Sequence, residues 1–231
     1  MRVELNVATF QKHGACERGL GLFKRTMRDM GLGEDASLTF DWTPLHTMWL
    51  ASRFPDLLDW LQSEGIAPTP ELRELMVDGV ELHSFDLSGK TLWRCTFVGC
   101  DFTHAKFVRS RFLDCTFYGC TFDYALMTQA NFVSTVFEGC SFNAVRLKRS
   151  VLSSVRFEGC DLRGVDFRYA DCSLAPFIDC RLDGANFNDA SVYGDAFTRS
   201  SLKGATFERA HPESDAEQAR RMARGEENGD G

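Results

Sequence analysis

Cysteine and histidine are the residue types in this chain that could bind a metal ion or supply a nucleophile and its base. The sequence holds nine cysteines and five histidines. A zinc site needs ligands at short spacing, such as Cys-x-x-Cys or His-x-x-His, and neither pattern occurs. Seven cysteines instead recur at multiples of five residues: Cys95, Cys100, Cys115, Cys120, Cys140, Cys160 and Cys180. This spacing favours buried structural thiols over a metal site.

The histidines do not suggest a catalytic site. They are scattered at positions 13, 46, 83, 104 and 211, and the chain has no glycine-rich phosphate loop and no Gly-x-Ser-x-Gly motif. His104 could pair with Asp101, but a hydrogen-bonded surface histidine is the commoner arrangement. We therefore predict a protein that is not an enzyme, with no catalytic residues, no cofactor and no bound metal.

An apolar residue recurs at every fifth position from Leu82 to Phe207. At these twenty-six positions, hereafter the centres, stand fifteen phenylalanines, eight leucines, Met127, Val192 and Cys172. A helix face recurs every 3.6 residues and a strand face every two, so a strict period of five indicates a chain that turns a corner after each unit.

Two further regularities indicate a stacked coil. The residue two positions before a centre is usually small, as at Cys100, Ala105, Ser110, Cys115, Cys120, Ala125, Ala130, Cys140, Ala170, Ala185 and Ala190. Small and large inward side chains together can fill a narrow interior at close-packed density. A Phe-x-Gly-Cys motif returns every twenty residues from Phe97 to Phe157. Four units therefore make one turn, and successive turns stack at about 4.8 Å.

The five-residue units resemble those of a known family. Ala105-Lys-Phe107, Ala130-Asn-Phe132 and Ala185-Asn-Phe187 are similar to the Ala-Asp/Asn-Leu-x-x unit of the pentapeptide-repeat proteins. The resemblance implies a mainly β fold, a right-handed quadrilateral parallel β-helix over residues 80–210. It says little about function, because the pattern describes a core rather than a site.

The two ends of the chain lack the period of five. Residues 1–79 are predicted to form a small helical domain that caps the coil, and residues 211–231 a short helix with a disordered acidic tail. Leu20, Phe23, Met27 and Met30 share one face of a helix across residues 16–30. The Gly14-Ala-Cys16 segment is similar to N-terminal segments of some bacterial immunity-type proteins.

The charge distribution argues against one function of the family. Some pentapeptide-repeat proteins protect DNA gyrase by imitating DNA, which requires a long surface of negative potential. The chain has a net charge of −7, but residues 81–210 carry fifteen acidic and fifteen basic side chains. No segment resembles a signal peptide, and no apolar run approaches the roughly 18 residues of a membrane span. We therefore expect a cytoplasmic protein without membrane contacts.

One side of the coil has an excess of basic residues. This basic side, centred on Phe107, Leu147 and Phe167, carries Lys106, Arg109, Arg146, Lys148, Arg149 and Arg168. Such a stripe could bind nucleic acid, but a basic side on an acidic protein is more often a solvated face. Direct nucleic-acid binding is therefore not expected.

Two other sides offer candidate contacts with a protein partner. The apolar side, centred on Leu92, Phe112 and Phe132, presents Trp93, Leu113, Val133, Val151, Leu174 and Tyr193, which a partner or the N-terminal domain is predicted to cover. The acidic side, centred on Phe102, Phe122 and Leu162, presents Asp101, His104, Asp123, Tyr124, Asp161 and Asp183, with Tyr118 around its corner. Acids beside aromatic rings suit contact with a basic protein.

These observations predict a rigid protein-binding inhibitor. The favoured hypothesis is an immunity protein that neutralises a cognate bacterial toxin, a basic nuclease delivered by a type VI secretion system. The candidate partner-binding residues are Asp101, His104, Tyr118, Asp123, Tyr124, Trp93 and Leu113. The alternatives are a DNA-mimicking protein that protects gyrase or another topoisomerase, and a structural scaffold. Because coil ends can pair with each other, a dimer remains open.

Overall fold

The chain divides into two compact units, Met1–Pro70 and Glu71–Gly231. The computed structural model describes residues 2–12, 17–29, 31, 33, 38–41, 57, 61–63, 72–152, 154–193, 196–211 and 213–225. No helix among these residues has the length and apolar character needed to cross a membrane.

The first unit combines helices with a small sheet. Strands β1 (Arg2–Leu5) and β2 (Leu38–Asp41) pair antiparallel, and helices α1 (Val7–Lys12) and α2 (Glu17–Asp29) follow β1. The helix predicted across residues 16–30 is thus present as α2, with Phe23 and Met27 buried on one face. The rings of Phe10 and Phe23 pack 4.3 Å apart and join α1 to α2. The two-stranded sheet was not predicted, because each strand is only four residues long.

Several sequence-based predictions fall outside the described residues. Thr43-Pro44 and Thr69-Pro70, which the sequence predicts to begin helices, lie there, as do Trp42, Trp49 and Trp60, which are predicted to lie in a core. Cys16 and the acidic tail from residue 226 onward also lie there. The sequence further predicts a helix across residues 55–64. Leu57 and Leu61, which were predicted to lie on one helix, are both helical and buried.

The second unit is a mainly β solenoid built from short parallel strands, which confirms the predicted fold. One sheet runs in the order β13-β12-β11-β10-β8-β6-β4 and another in the order β3-β5-β7-β9. The strands are β3 (Leu72–Arg73), β4 (Met76–Asp78), β5 (Thr91–Trp93), β6 (Thr96–Val98), β7 (Arg111–Leu113), β8 (Thr116–Tyr118), β9 (Asn131–Val133), β10 (Val136–Glu138), β11 (Arg156–Glu158), β12 (Phe177–Ile178) and β13 (Phe197–Thr198).

Every pairing in the solenoid joins residues twenty apart, so four units make one turn. Phe97 pairs with Phe117, for example, and Phe117 with Phe137. The two remaining sides are held by single parallel bridges of the same register, such as Asp101 with Thr121 and Lys106 with Leu126. Successive turns thereby satisfy each other's backbone hydrogen bonds, as in other repeat proteins.

The interior consists of stacked phenylalanine rings. The longest column comprises Phe97, Phe117, Phe137, Phe157, Phe177 and Phe197, with neighbouring ring centroids 4.9–5.4 Å apart. Rings of adjacent columns meet edge to face, as Phe117 and Phe122 do at 5.3 Å. Both geometries are favourable for aromatic pairs. The centres are thus buried as the period of five predicted.

The small inward residues lie at the corners, and the cysteines among them form columns. All eight described cysteines are buried and free. The thiol of Cys120 donates a hydrogen bond to the Phe97 carbonyl at 3.5 Å, and that of Cys140 to the Phe117 carbonyl at 3.4 Å. Seven of the eight thiols bond to the preceding turn in this way, and all eight are buried, as predicted for structural cysteines.

The solenoid begins earlier than the sequence pattern suggested. The sequence pattern predicts a first unit at residue 80, but Leu72 and Val77 already occupy buried centres and pair with Leu92 and Phe97. The prediction missed these turns because Leu75, rather than a small residue, precedes Val77 by two positions.

A C-terminal helix covers the last turn. Helix α3 (Glu213–Arg224) buries Ala219 completely. The Arg220 guanidinium donates two hydrogen bonds to the Phe207 carbonyl, at 2.6 and 3.2 Å, and the Gly204 N–H donates to the Ala223 carbonyl at 3.3 Å. The helix thus occupies backbone groups that the next turn of the coil would otherwise use.

Candidate protein-interaction surface

The predicted partner-binding residues do not share one surface. Along each turn the apolar side is followed by a fourth side centred on Phe97, Phe117 and Phe137, then by the acidic side and the basic side. The structure brings together Asp101, His104, Asp123 and Tyr124 on the acidic side, with Tyr118 on the adjoining fourth side. Trp93 and Leu113 lie on the apolar side, opposite the acidic side. One flat partner surface cannot contact both groups.

Trp93 is less available than the sequence suggested. The guanidinium carbons of Arg73 and Arg94 each lie 4.2 Å from its ring centroid. These cation–π contacts cover part of the ring. Trp93 and Leu113 are both only partly exposed. The sequence could not show this, because Arg73 reaches Trp93 only when turns twenty residues apart are stacked.

The most exposed leucine of the apolar side lies beside a local irregularity. Leu174 is 62% exposed and lines an open groove of about 420 Å³ together with Ser173, Ala175, Pro176, Tyr193 and Ala196. Pro176 occupies a strand position at which other turns donate a backbone N–H to the turn above, and proline has none. The groove is therefore a place where the regular ladder is interrupted.

On the acidic side, Asp123 is held in a hydrogen-bond network. Its carboxylate accepts from the Ser141 hydroxyl at 2.5 Å, from the Asn143 backbone N–H at 3.0 Å and from the Asn143 side-chain amide at 3.1 Å. Asp123 thus ties one turn to the next. A partner would contact it within this network rather than as a free carboxylate.

Asp101 and Asp161 are also engaged locally. The Asp101 carboxylate accepts from the Thr103 hydroxyl at 2.5 Å and from the Thr103 N–H at 2.8 Å. Partial burial raises the pKa of Asp101, but these hydrogen bonds and the charge of His83 outweigh it and hold the pKa below 3.8. Burial also raises the pKa of Asp161. The Arg163 guanidinium donates hydrogen bonds to the Asp161 carboxylate at 2.7 and 2.8 Å, and these lower the pKa by more than burial raises it. Both side chains are therefore negatively charged at neutral pH.

Three aromatic side chains stand at the two margins of the acidic side: Tyr118 next to its corner with the fourth side, and His104 and Tyr124 at its corner with the basic side. The rings of His104 and Tyr124 stack with centroids 5.2 Å apart, and Tyr124 is 55% exposed. Tyr118 on the fourth side is 42% exposed. Because the imidazole and the phenol ring stack on each other, they project as one unit with little rotational freedom. Preformed aromatic surfaces of this kind are typical of protein interfaces.

Between Tyr118 and these stacked rings runs a column of glycines, Gly79, Gly99, Gly119, Gly139 and Gly159. All five have φ between 57° and 61°, a left-handed conformation that favours glycine. The solenoid does not require glycine there, because seventeen other residues take the same corner position with φ of 49–61°. A Cβ at any of the five would meet nothing within 4 Å. The glycines therefore leave a strip of uncovered backbone, hereafter the open channel, beside Tyr118.

The histidines, cysteines and carboxylates do not assemble into a metal site in the part of the chain that the structure describes, where no cluster of three or more is arranged to hold an ion.

Comparison with known proteins identifies the repeat. Residues 90–167 match the family model described as "Pentapeptide repeat region". Over these residues the chain is similar to the pentapeptide-repeat proteins. The match covers the turns that carry Asp101, His104, Tyr118, Asp123 and Tyr124. Among curated proteins, none matches the chain.

Solved structures similar to the pentapeptide repeat are themselves repeat proteins. QnrB1, a plasmid-mediated fluoroquinolone resistance protein, is 24% identical over 60% of this chain and 70% of its own, with a TM-score of 0.37. HetL, involved in heterocyst differentiation regulation in Nostoc sp. strain PCC 7120, is 20% identical over 61% and 84%, with a TM-score of 0.30. A thylakoid lumen protein of Arabidopsis thaliana is 31% identical over 53% and 64%, with a TM-score of 0.18. At these scores the likenesses carry no argument about function.

Proposed function

We propose that the pentapeptide repeat is a rigid, non-catalytic surface that binds and inhibits a basic protein. The observation that carries this proposal is the aromatic edge, defined as Tyr118, the His104–Tyr124 stack and the glycine column between them. It combines exposed rings with an open backbone channel, and the fold requires neither. A closely approaching partner would use both.

The charge on the fourth side and the acidic side, which carry the residues of the aromatic edge, selects a basic partner. The outward positions of the acidic side carry Glu81, Asp101, Asp123, Asp161 and Asp183 against Arg163, Arg181 and Lys203. Those of the fourth side carry Asp78, Glu138, Glu158 and Asp179 against Arg156 and Arg199. Each side therefore has a net charge of −2. Charge of opposite sign on a partner would speed association and disfavour acidic competitors.

Rigidity favours inhibition by binding alone. The phenylalanine columns and the ladder of backbone hydrogen bonds hold the aromatic edge in place before binding. Little conformational entropy is then lost on association, and more of the contact energy remains as affinity. Inhibition would follow from covering the partner's substrate site. This mode of action needs no catalytic group on the repeat.

In its most specific form, the proposal is an immunity protein for a cognate bacterial toxin. Enzymes that act on nucleic acid need cationic surfaces to bind phosphates, so a nuclease toxin delivered by a type VI secretion system would have the required charge. Gyrase protection by DNA mimicry is less favoured, because the basic side interrupts the negative potential that a DNA mimic needs. The second alternative, a structural scaffold, predicts that the chain binds no partner tightly.

The test compares two double variants of the full chain. Tyr118→Ala/Tyr124→Ala removes two rings from the aromatic edge, and Tyr169→Ala/Tyr193→Ala removes two similarly exposed rings, 48% and 44%, from the other sides. Proteins captured from a lysate of the source cells by the wild-type chain would be identified, and each purified candidate titrated calorimetrically against all three forms. Its nuclease activity would be measured with and without the chain.

We expect the captured partner to be a basic nuclease. The wild type and the second variant should inhibit it, and the first variant should bind it at least ten-fold more weakly than the wild type does. An acidic partner, or equal binding by both variants, would contradict the proposal. Protection of gyrase in a supercoiling assay without nuclease inhibition would favour the DNA-mimic alternative.

A further inference from the structure

The arginines of the solenoid are mostly neutralised by acids on the same surface. Arg156 pairs with Glu158, Arg163 with Asp161, Arg168 with Asp166, Arg199 with Asp179 and Arg209 with Asp189, all within 2.9 Å. Some pairs lie two residues apart along a strand and others twenty residues apart, in adjacent turns. An arginine in the solenoid can therefore pair with an acid in its own turn or in an adjacent turn, and most arginines form such a pair.

One five-residue unit of the basic side, centred on Leu147, departs from this pattern. Its three outward residues, Arg146, Lys148 and Arg149, are all basic, and none forms an ion pair within 4.0 Å in the described part of the solenoid. Two turns above, the Arg109 side chain donates to the neutral Gln129 amide at 2.9 Å instead of to an acid. We name Arg109, Arg146, Lys148 and Arg149 the basic strip.

The acids of the basic side do not compensate for the basic strip. Asp86 lies 3.9 Å from Lys106, Asp166 bonds Arg168 through both carboxylate oxygens at 2.8 Å, and Asp189 bonds Arg209. Each of these three acids is paired with another cation, and the charge of Lys148 also contributes to the lowered pKa of Asp166. The remaining acid of this side, Glu208, lies three turns below Lys148. The sequence predicted this side to be a net-positive, solvated face, because pairing between turns cannot be assigned from the sequence. The structure leaves a localised excess of positive charge.

An aromatic ring adjoins the basic strip. Tyr169 lies one turn below Arg149 and is 48% exposed. The Lys148 ammonium lies 5.3 Å, and the Arg149 guanidinium carbon 5.6 Å, from its ring centroid. These two cations cover part of the Tyr169 ring, as the arginines do at Trp93. The exposed remainder of the ring, beside several unpaired cations, is the arrangement by which single strands are bound, with phosphates on the cations and a base on the ring.

We infer that the basic strip and Tyr169 form a binding site for the phosphodiester backbone of single-stranded nucleic acid. The site lies on a different side from the aromatic edge, so this inference does not depend on the proposed protein partner. Charge complementarity and the adjacent ring favour a nucleic acid over an acidic protein segment, because a carboxylate-rich segment has no base to stack. The sequence alone did not lead us to expect nucleic-acid binding on this side. The inference differs because, in the structure, the other cations of this side are paired with acids.

The length of the basic strip determines how strongly binding should depend on salt concentration. The cations span about 10 Å over two stacked turns of about 4.8 Å each, which accommodates about three phosphates. For three phosphate contacts on a single strand, raising the salt concentration from 50 to 200 mM should weaken binding about twenty-fold. Binding of this kind is independent of sequence, because no base edge is read.

The experiment is a fluorescence anisotropy titration of the full chain with labelled dT12 and U12 oligonucleotides and a labelled peptide of twelve glutamates. The test variant is Arg146→Gln/Lys148→Gln/Arg149→Gln. The matched control is Arg163→Gln/Arg181→Gln/Lys203→Gln, which removes three cations from the acidic side and changes the net charge equally. Tyr169→Ala tests the ring, and circular dichroism confirms that each variant is folded.

We expect both oligonucleotides to bind in 50 mM salt, the test variant to bind at least ten-fold more weakly, and the control to bind no more than two-fold more weakly. Tyr169→Ala should lower the affinity about five-fold or more without changing the salt dependence. The ratio of dT12 to U12 affinity distinguishes DNA from RNA as the natural ligand. No oligonucleotide binding in 50 mM salt, equal binding by test variant and control, or glutamate-peptide binding as tight as that of dT12 would each overturn the inference.

Discussion

The rings of His104 and Tyr124 stack one turn apart, with centroids 5.2 Å apart and planes inclined by 21°. The two residues occupy the same corner position in successive turns, with φ of 59° and 61°. Their contact follows from the twenty-residue register, which places equivalent corners directly above one another. Side chains that are remote in sequence thereby become parts of one surface.

The glycine column permits a test of the aromatic edge that leaves its rings intact. Gly119→Gln should fold, because Gln129 takes the same corner conformation and the new Cβ would meet no atom within 4 Å. The left-handed conformation should cost about 1 kcal/mol of unfolding free energy. The glutamine side chain should fill the channel and weaken partner binding at least ten-fold by calorimetry.

Ser134→Gln is the matched control for Gly119→Gln, since Ser134 has φ of 49° at an exposed corner of the apolar side. It should bind the partner as the wild type does. Equal affinities for the two variants would show that the channel is not approached by the partner.

The phenylalanine columns should dominate the stability of the solenoid. Phe137 is 1% exposed and stacks on both Phe117 and Phe157. Phe137→Ala should lower the unfolding free energy by about 3–5 kcal/mol, because it removes buried area and leaves a cavity between two turns. Phe137→Leu should cost about 1.5 kcal/mol, since leucine is the centre at Leu147 and Leu152. Urea denaturation would measure both, and equal losses would contradict the stacked-column explanation.

The Asp161–Arg163 pair should make stability depend on pH. The pKa of Asp161 is lower in the folded chain than its ordinary 3.8. A carboxyl with a lowered folded pKa stabilises the fold above its unfolded pKa, and the stabilisation is lost as the pH falls through the folded pKa. Asp161→Asn should therefore be less stable than the wild type at pH 7, by about 0.5 kcal/mol for a partly exposed pair.

At pH 2 the difference between Asp161→Asn and the wild type should vanish, which urea denaturation at both pH values would show. Arg163→Gln should reduce the effect of Asp161→Asn at pH 7, because the removed guanidinium is the cause of the lowered pKa. A difference that persists at pH 2 would indicate a contribution other than charge.

Thiol reactivity should report the burial of the cysteine columns. Burial raises the pKa of the Cys172 thiol, and for Cys140 the hydrogen-bonded contacts with Cys120 and Cys160 raise the pKa together with burial. In a Cys16→Ser background, the native chain should react with a disulfide reagent at pH 8 at least a hundred-fold more slowly than the chain in guanidinium, because the reactive form is an accessible thiolate. Rapid labelling of several thiols in the native chain would contradict the closed interior.

The sequence alone determined the fold of the second unit. Phenylalanine or leucine at every fifth position and a small residue two positions before it admit few structures other than a four-sided coil, so the buried centres and the buried cysteines could be predicted. A different pattern, apolar residues on one helix face, predicted helix α2 from Phe23 and Met27, and a short C-terminal helix was predicted as well. The sheet of β1 and β2 could not be predicted, because strands of four residues carry too short a pattern and pair across more than thirty residues.

Only the tertiary structure decided which outward residues meet. Trp93 was predicted to be an exposed contact residue of the apolar side, but stacking of the turns brings Arg73 and Arg94 onto its ring. The unpaired charge of Arg146, Lys148 and Arg149 became visible only when the other cations were matched with acids in their own and adjacent turns. The physical reason is that the period of five specifies which side chains point inward, whereas contacts on the surface depend on rotamers and on neighbours twenty residues away.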